Sequence, residues 1–244
     1  MDRHLNSLGV LLIAATALVI APVPATGQAH PDLNGIWDGR GGSSDLVEYM
    51  LRAGSEVPFT PEAAERYRNV DFATNPNSQC LPPGPSRSIT GPSPFLIVQT
   101  PDIITMLFEN HGRYRVFYMD GNHTEDATEY PSFMGDSVGR WDGDTLVVDT
   151  IGINDRTWLD SNGIEHSDQL MLTERFTKMG PDSITYEVTY DDQLFFTEPW
   201  TVTLPLERKP EGFRLLEYVC NENERDTDTL QPTFLNRDKV LTNR

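Results

Sequence analysis

The chain has 244 residues and carries 37 Asp+Glu against 19 Lys+Arg, a formal charge of -18. With no cluster of cations to displace phosphate counterions, that balance excludes nucleic acid as a partner and argues against an anionic membrane surface. A charged fraction of 23% beside 38% hydrophobic and 9% aromatic residues is globular composition, so disorder along the whole chain is excluded too.

Residues 1–27 read as an export signal. Arg3 gives the short n-region a cation, Leu8 to Ala21 is an apolar run of 14 residues, and small residues then allow cleavage after Gly27 or after Ala29. The run is short for a membrane span of ~20 residues, so no span is expected once the signal is removed. The expected location is secreted or periplasmic. In that oxidising setting the two cysteines, Cys80 and Cys220, are expected to pair. Neither has a CxxC neighbour or a nearby His, as a metal ligand or catalytic thiol would. Closing a loop of 140 residues contributes roughly 4 to 5 kcal/mol in the chain-entropy model.

Residues 28–94 predict a first short strand (residues 33–39), two short helices and a Pro-rich wrap. Asp45 caps a helix over 45–53, and Thr60 caps a second whose first residue is Pro61. Residues 75–94 hold six prolines and two glycines, which predicts irregular chain there. Residues 95–220 predict nine strands separated by turn signals, from PFLIVQT to FRLLEYVC, with Asp142-Gly143 the strongest hairpin. Alternation is clear at Leu170, Leu172 and Phe176, at Ile184, Tyr186, Val188 and Tyr190, and at Trp200, Val202, Leu204 and Leu206, with Thr and charge between them. The fold expected is mainly β, an antiparallel meander that closes on itself into a barrel to hide its edges, followed by a polar tail over 221–244. Two longer loops, 121–135 and 151–167, interrupt the meander.

Gly35-Ile36-Trp37 at the start of the meander resembles the G-x-W signature of lipocalins. The resemblance implies a calycin-type barrel in which the Trp closes one end and an Arg of the last strand packs over it, a part that falls to Arg214. From Cys80 to Cys220 the chain is also similar to a set of exported bacterial proteins with CLPPG, GRW-[DE]-GDTLVVDT, NDRTWLD and EYVCNEN stretches. That similarity implies export and names no catalytic residue.

Glu174 falls where the alternation Leu170, Leu172, Phe176 expects an apolar side chain. A carboxylate on the core face is either paired, with Arg115 or Arg140, or lines a wet pocket. Glu217 lies between Leu215 and Val219 on the last expected strand, either beside Glu174 in one cavity or on the solvated side. With His166 and Asp168 at the end of the long loop, these two acids are the candidate acid/base residues. Arg115, Tyr118, Arg140 and Trp158 are the candidate ligand-binding residues, Trp158 because an aromatic in a polar loop anchors the loop or caps a pocket. His123, Glu125 and Asp126 lack zinc spacing, and the loop opening at Asp160 has Met171 where a calcium site needs Glu, so no metal is expected. Ser137, in GDSVG, precedes a strand and not the helix that a nucleophile elbow needs. No cofactor is expected. The functional expectation is a barrel that binds a small apolar or aromatic molecule. The alternatives are an isomerase, cyclase or lyase acting on such a molecule with Arg115 or Arg140 steadying negative charge, and an envelope assembly component.

Overall fold

The computed structural model describes residues 30–39 and 45–220. The signal segment and the tail from residue 221 lie outside the described residues. Nine strands follow one another around a closed barrel: β1 (Gly35–Gly39), β2 (Phe95–Gln99), β3 (Ile103–Phe108), β4 (Arg113–Tyr118), β5 (Asp136–Asp142), β6 (Thr145–Ile151), β7 (Met171–Gly180), β8 (Ser183–Asp191) and β9 (Trp200–Arg208). β1 pairs with both β2 and β9 and so closes the ring. All neighbours are antiparallel except β4 and β5, which run parallel through Phe117↔Ser137 and Tyr118↔Val138. The meander is therefore antiparallel with one parallel seam, made because the loop after Tyr118 returns the chain to the end at which β4 began.

The two ends of the barrel differ. At the tight-turn end lie the β2–β3, β5–β6 and β7–β8 hairpins, with Gly143 in the left-handed conformation (φ 61°) that its two-residue turn needs. The helical end carries α1 (Leu46–Arg52), α2 (Pro61–Arg68), α3 (Pro85–Thr90) and the 152–170 and 192–199 loops. Asp45 accepts the Glu48 amide and Thr60 the Ala63 amide, the caps expected from sequence.

α3 corrects the expectation of irregular chain over 75–94. Pro85 stands at the first helical position, where proline favours a helix, and Gly84 supplies a positive φ before it. Every residue of α3 is buried, with Ile89 fully enclosed. Ser86 donates to the Leu159 carbonyl and bonds the Tyr190 hydroxyl at 2.7 Å, so α3 plugs the mouth of the barrel. The interior beyond it is filled by Trp37, Phe95, Phe117, Phe176, Tyr186 and their aliphatic neighbours.

The last expected strand is also corrected. Residues 213–219 form no strand and are mostly exposed. β9 already pairs with β8 and β1, so the closed sheet offers no edge to a tenth strand. The segment is a strap outside the barrel, tied by the Leu216 amide to Glu109 Oε2 (2.7 Å) and by the Cys80–Cys220 disulfide, the pairing expected from sequence. Arg214, exposed on the strap, does not cover Trp37; Arg208 of β9 does, its guanidinium carbon 4.8 Å from the ring centre. The first residue of the G-x-W triplet, Gly35, takes a positive φ (143°) that strains any side chain, and a Cβ there would also push aside Arg208 Nη1, 2.6 Å away.

Candidate functional site

Alternation along β7 turns Glu174 inward between Leu172 and Phe176, and alternation along β4 turns Arg115 inward beside Phe117. The two meet inside the barrel, 0% and 2% exposed. Arg115 Nη1 donates to Glu174 Oε1 (2.9 Å) and Nη2 to Oε2, a bidentate pair. Arg115 Nη2 also donates to Thr150 Oγ1 (2.6 Å) and Nε to Ser137 Oγ (3.1 Å). The Tyr186 hydroxyl donates to Glu174 Oε1 (2.8 Å), and burial pushes its ionisation far up, so it remains a phenol. Both charges are thus satisfied by protein groups, as burial requires. Ser137, the serine of GDSVG, is a buried strand residue of this network and is not on a nucleophile elbow.

Glu217 does not join Glu174: it is exposed on the strap. Arg140 also lies elsewhere, paired with Asp149 on the outer face and lining a cleft of 830 Å³ at the tight-turn end with Trp141, Gln99 and Met119. His166, Asp168 and Trp158 share a third place, a polar cleft of 430 Å³ at the helical end with Gln79, Asp155 and Arg156. His166 is buried, and burial lowers its basicity. Its Nδ1 faces the Ser167 carbonyl (2.8 Å), which only accepts, so Nδ1 carries the proton and Nε2 accepts from the Thr157 hydroxyl (2.6 Å). Trp158 packs edge-on against Phe72 and anchors its loop.

The helical end holds a further buried group, Asp160, whose loop lacks the Glu of a calcium site and which serves the fold instead. Asp160 accepts from the amides of Asn162 (2.9 Å), Ile164 (3.1 Å) and Leu46 (3.3 Å), tying the long loop to α1. Desolvation pushes its carboxyl up to about 6. Among the described residues no group of three or more His, Cys, Asp or Glu is placed to hold a metal ion; His123 instead bonds Asp136 through Nδ1 (2.9 Å).

The parallel seam brings two of the expected ligand-binding residues together. β5 meets β4 only at Phe117 and Tyr118, so residues 113–116 of β4 face the 132–136 segment across a groove of 420 Å³. It is lined by inward-facing Arg113, Arg115 and Ser137, by outward-facing Tyr114 and Tyr118, and by Phe133 and Met134. Side chains of both strand faces therefore border one opening, which passes into the barrel wall as far as the Arg115 network. Among the described residues Arg113 has no ion-pair partner, and its Nε is occluded without a hydrogen bond. The signal for Arg115 was present in RYRVFYM, whose alternation puts it on the Phe117 side; the seam itself has no local signature.

No family model matches the chain, and no curated protein matches it. Among solved structures the chain is similar to a mutant of the fluorescent protein UnaG, with a TM-score of 0.36 and 14% identity over 73% of this chain and 97% of that one.

Proposed function

We propose that this is an exported barrel protein that binds a small apolar or aromatic molecule, held in the groove of the β4–β5 seam. One observation carries the reading: a groove of 420 Å³, within the range of small-molecule sites, combines ring and thioether surface from Tyr114, Tyr118, Phe133 and Met134 with the cation of Arg113. The lumen is filled by its own side chains and α3, which leaves the seam as the roomy apolar place near the expected residues Arg115 and Tyr118. The signal-like N-terminus and the disulfide support export, in keeping with the similarity to exported bacterial proteins. An acid/base enzyme needs carboxylates free to exchange protons in one pocket; Glu174 is engaged by Arg115 and Tyr186, and Glu217 stands outside the barrel.

Native mass spectrometry of the protein purified from its own periplasm tests this. The expected result is a bound small molecule, with Tyr118→Ala and Phe133→Ala each weakening rebinding of the recovered compound roughly tenfold. A bare wild-type chain, or binding indifferent to both substitutions, overturns it.

A further inference from the structure

The fold treats the two arginines at the start of β4 differently. All three nitrogens of the Arg115 guanidinium are engaged: Nε by Ser137, Nη1 by Glu174, and Nη2 by Glu174 and Thr150. Arg113, two residues earlier and on the same face, has neither a side-chain hydrogen bond nor an ion pair among the described residues, and its Nε is occluded. Carboxylates are not scarce in a chain with 37 Asp+Glu against 19 Lys+Arg, and Arg52, Arg66, Arg115, Arg140 and Arg175 each meet one. The acids around the seam are committed elsewhere. Glu174 is held by Arg115 and Tyr186, Asp136 by His123 and the Thr124 amide, and Glu109 by the Leu216 amide. A half-buried guanidinium that no protein group bonds costs free energy, and folds keep such groups where they serve a ligand.

The surroundings of Arg113 narrow the ligand. β4 and β5 pair at Phe117↔Ser137 and Tyr118↔Val138, and the same register continued toward the start of β4 sets Met134 opposite Tyr114 and Phe133 opposite Arg113. Phe133 is held in turn by Arg156, whose guanidinium carbon lies 5.0 Å from the ring centre. Ring and thioether surface therefore stands beside an unused planar fork, and that fork matches the two oxygens of a carboxylate. The groove of 420 Å³ lies near the lower end of the roughly 300–1,000 Å³ of small-molecule sites, which suits a body of one or two rings. Among the residues lining it, Arg113 alone offers an unused guanidinium, and Asp136 shares the lining, so a second negative charge on the ligand would be desolvated without a partner.

We infer that the molecule held at the seam is an aromatic monocarboxylate, its ring between β4 and residues 132–136 and its carboxylate on Arg113. The inference rests on the seam being the binding site and adds the charge of the ligand and the residue that selects it.

Calorimetric titration of the disulfide-bonded protein with naphthoate and with its uncharged isostere naphthamide tests it. The wild type is expected to bind naphthoate roughly tenfold more tightly, and Arg113→Met to abolish that preference by weakening naphthoate alone. Phe133→Ala should weaken both probes, because the ring surface serves each. Equal affinity of the wild type for the two, or a preference that survives Arg113→Met, overturns the carboxylate assignment and leaves the groove as a site for neutral molecules. Binding of neither probe, or binding indifferent to Phe133→Ala, overturns the groove as the site and the inference with it. The melting temperature of Arg113→Met gives an independent reading. The substitution removes a guanidinium without protein partners and keeps an apolar stem, so the value stays at or above that of the wild type. A marked fall would make Arg113 part of the fold and overturn its assignment to a ligand.

Discussion

The tight-turn end and the helical end close the same barrel by different physics. At the tight-turn end, hairpins join neighbouring strands, and Trp37 is sealed by Arg208 above and by its own indole N–H donating to the Leu33 carbonyl (2.9 Å). Almost everything there is local in sequence or sits on adjacent strands. At the helical end the closing groups come from far apart: Leu46 with Asp160, Ser86 with Tyr190, Arg115 with Glu174. These contacts are polar and buried, the first two because long connections carry backbone amides and hydroxyls into the core, where each needs a partner, and the third because alternation along β4 and β7 turns both side chains inward. The cheap closure is apolar and local; the elaborate one concentrates buried polar groups, and those make that end sensitive to substitution and to pH.

The contrast is broken most severely through the ion pair. Arg115→Met leaves the Glu174 carboxylate buried with only Tyr186 to bond it and is expected to cost about 3–5 kcal/mol in urea unfolding. The double variant Arg115→Met with Glu174→Met should recover most of that loss; if it does not, packing and not charge holds this part of the interior.

Asp160 gives the next largest effect. Its carboxyl lies at about 6 in the fold against 3.8 ordinarily, so the unfolded chain ionises first. Its protonated form favours folding below about pH 4, and that contribution is lost as pH rises through about 6, a change of roughly 3 kcal/mol. The difference in unfolding free energy between wild type and Asp160→Asn should therefore shift by that amount toward wild type between pH 7 and pH 4. A difference flat with pH would remove Asp160 as the source. His166 works in the opposite sense: burial lowers its basicity below 6.5, so its contribution falls as pH drops below that value.

The smallest effect is expected at the other end. Arg208→Met keeps a long apolar stem over Trp37 and removes the cation-π contact and the bonds from Nη2 to the Asn34 carbonyl (2.7 Å) and from Nε to the Pro181 carbonyl (3.1 Å), costing about 1–2 kcal/mol. It should leave the pH profile unchanged. A shift in that profile would mean that the two ends are coupled.

Legibility from sequence follows the same division. The Asp142-Gly143 hairpin, the alternation on β7 to β9, the caps at Asp45 and Thr60 and the inward turn of Glu174 are all written in short stretches of chain. The G-x-W triplet pointed to the right Trp and the wrong Arg: residues 213–220 alternate like a strand, and only the closed pairing of β9 with β1 shows that the last strand ends at Arg208. The same alternation makes Glu217 look like a strand residue, whereas it stands exposed on the strap. α3 is hidden in a Pro-rich stretch because proline breaks a helix inside it but favours one at the first position, where Pro85 stands. The seam groove, which unites Arg115 with Tyr118 and separates both from Arg140 and Trp158, depends on a parallel pairing that no local pattern encodes.

By itself the sequence determined a mainly β chain with acidic composition, a signal-like start, two cysteines that pair and one carboxylate on a core face. These follow from short-range periodicity and from composition, which need no knowledge of neighbours. Tertiary structure alone decided that the barrel closes at nine strands, that a buried helix fills its mouth, that Glu174 belongs to Arg115, and that an opening lies at the seam between β4 and β5. Each of those depends on which strand edges remain unpaired once the sheet has closed, and that quantity exists only when the whole chain is in place.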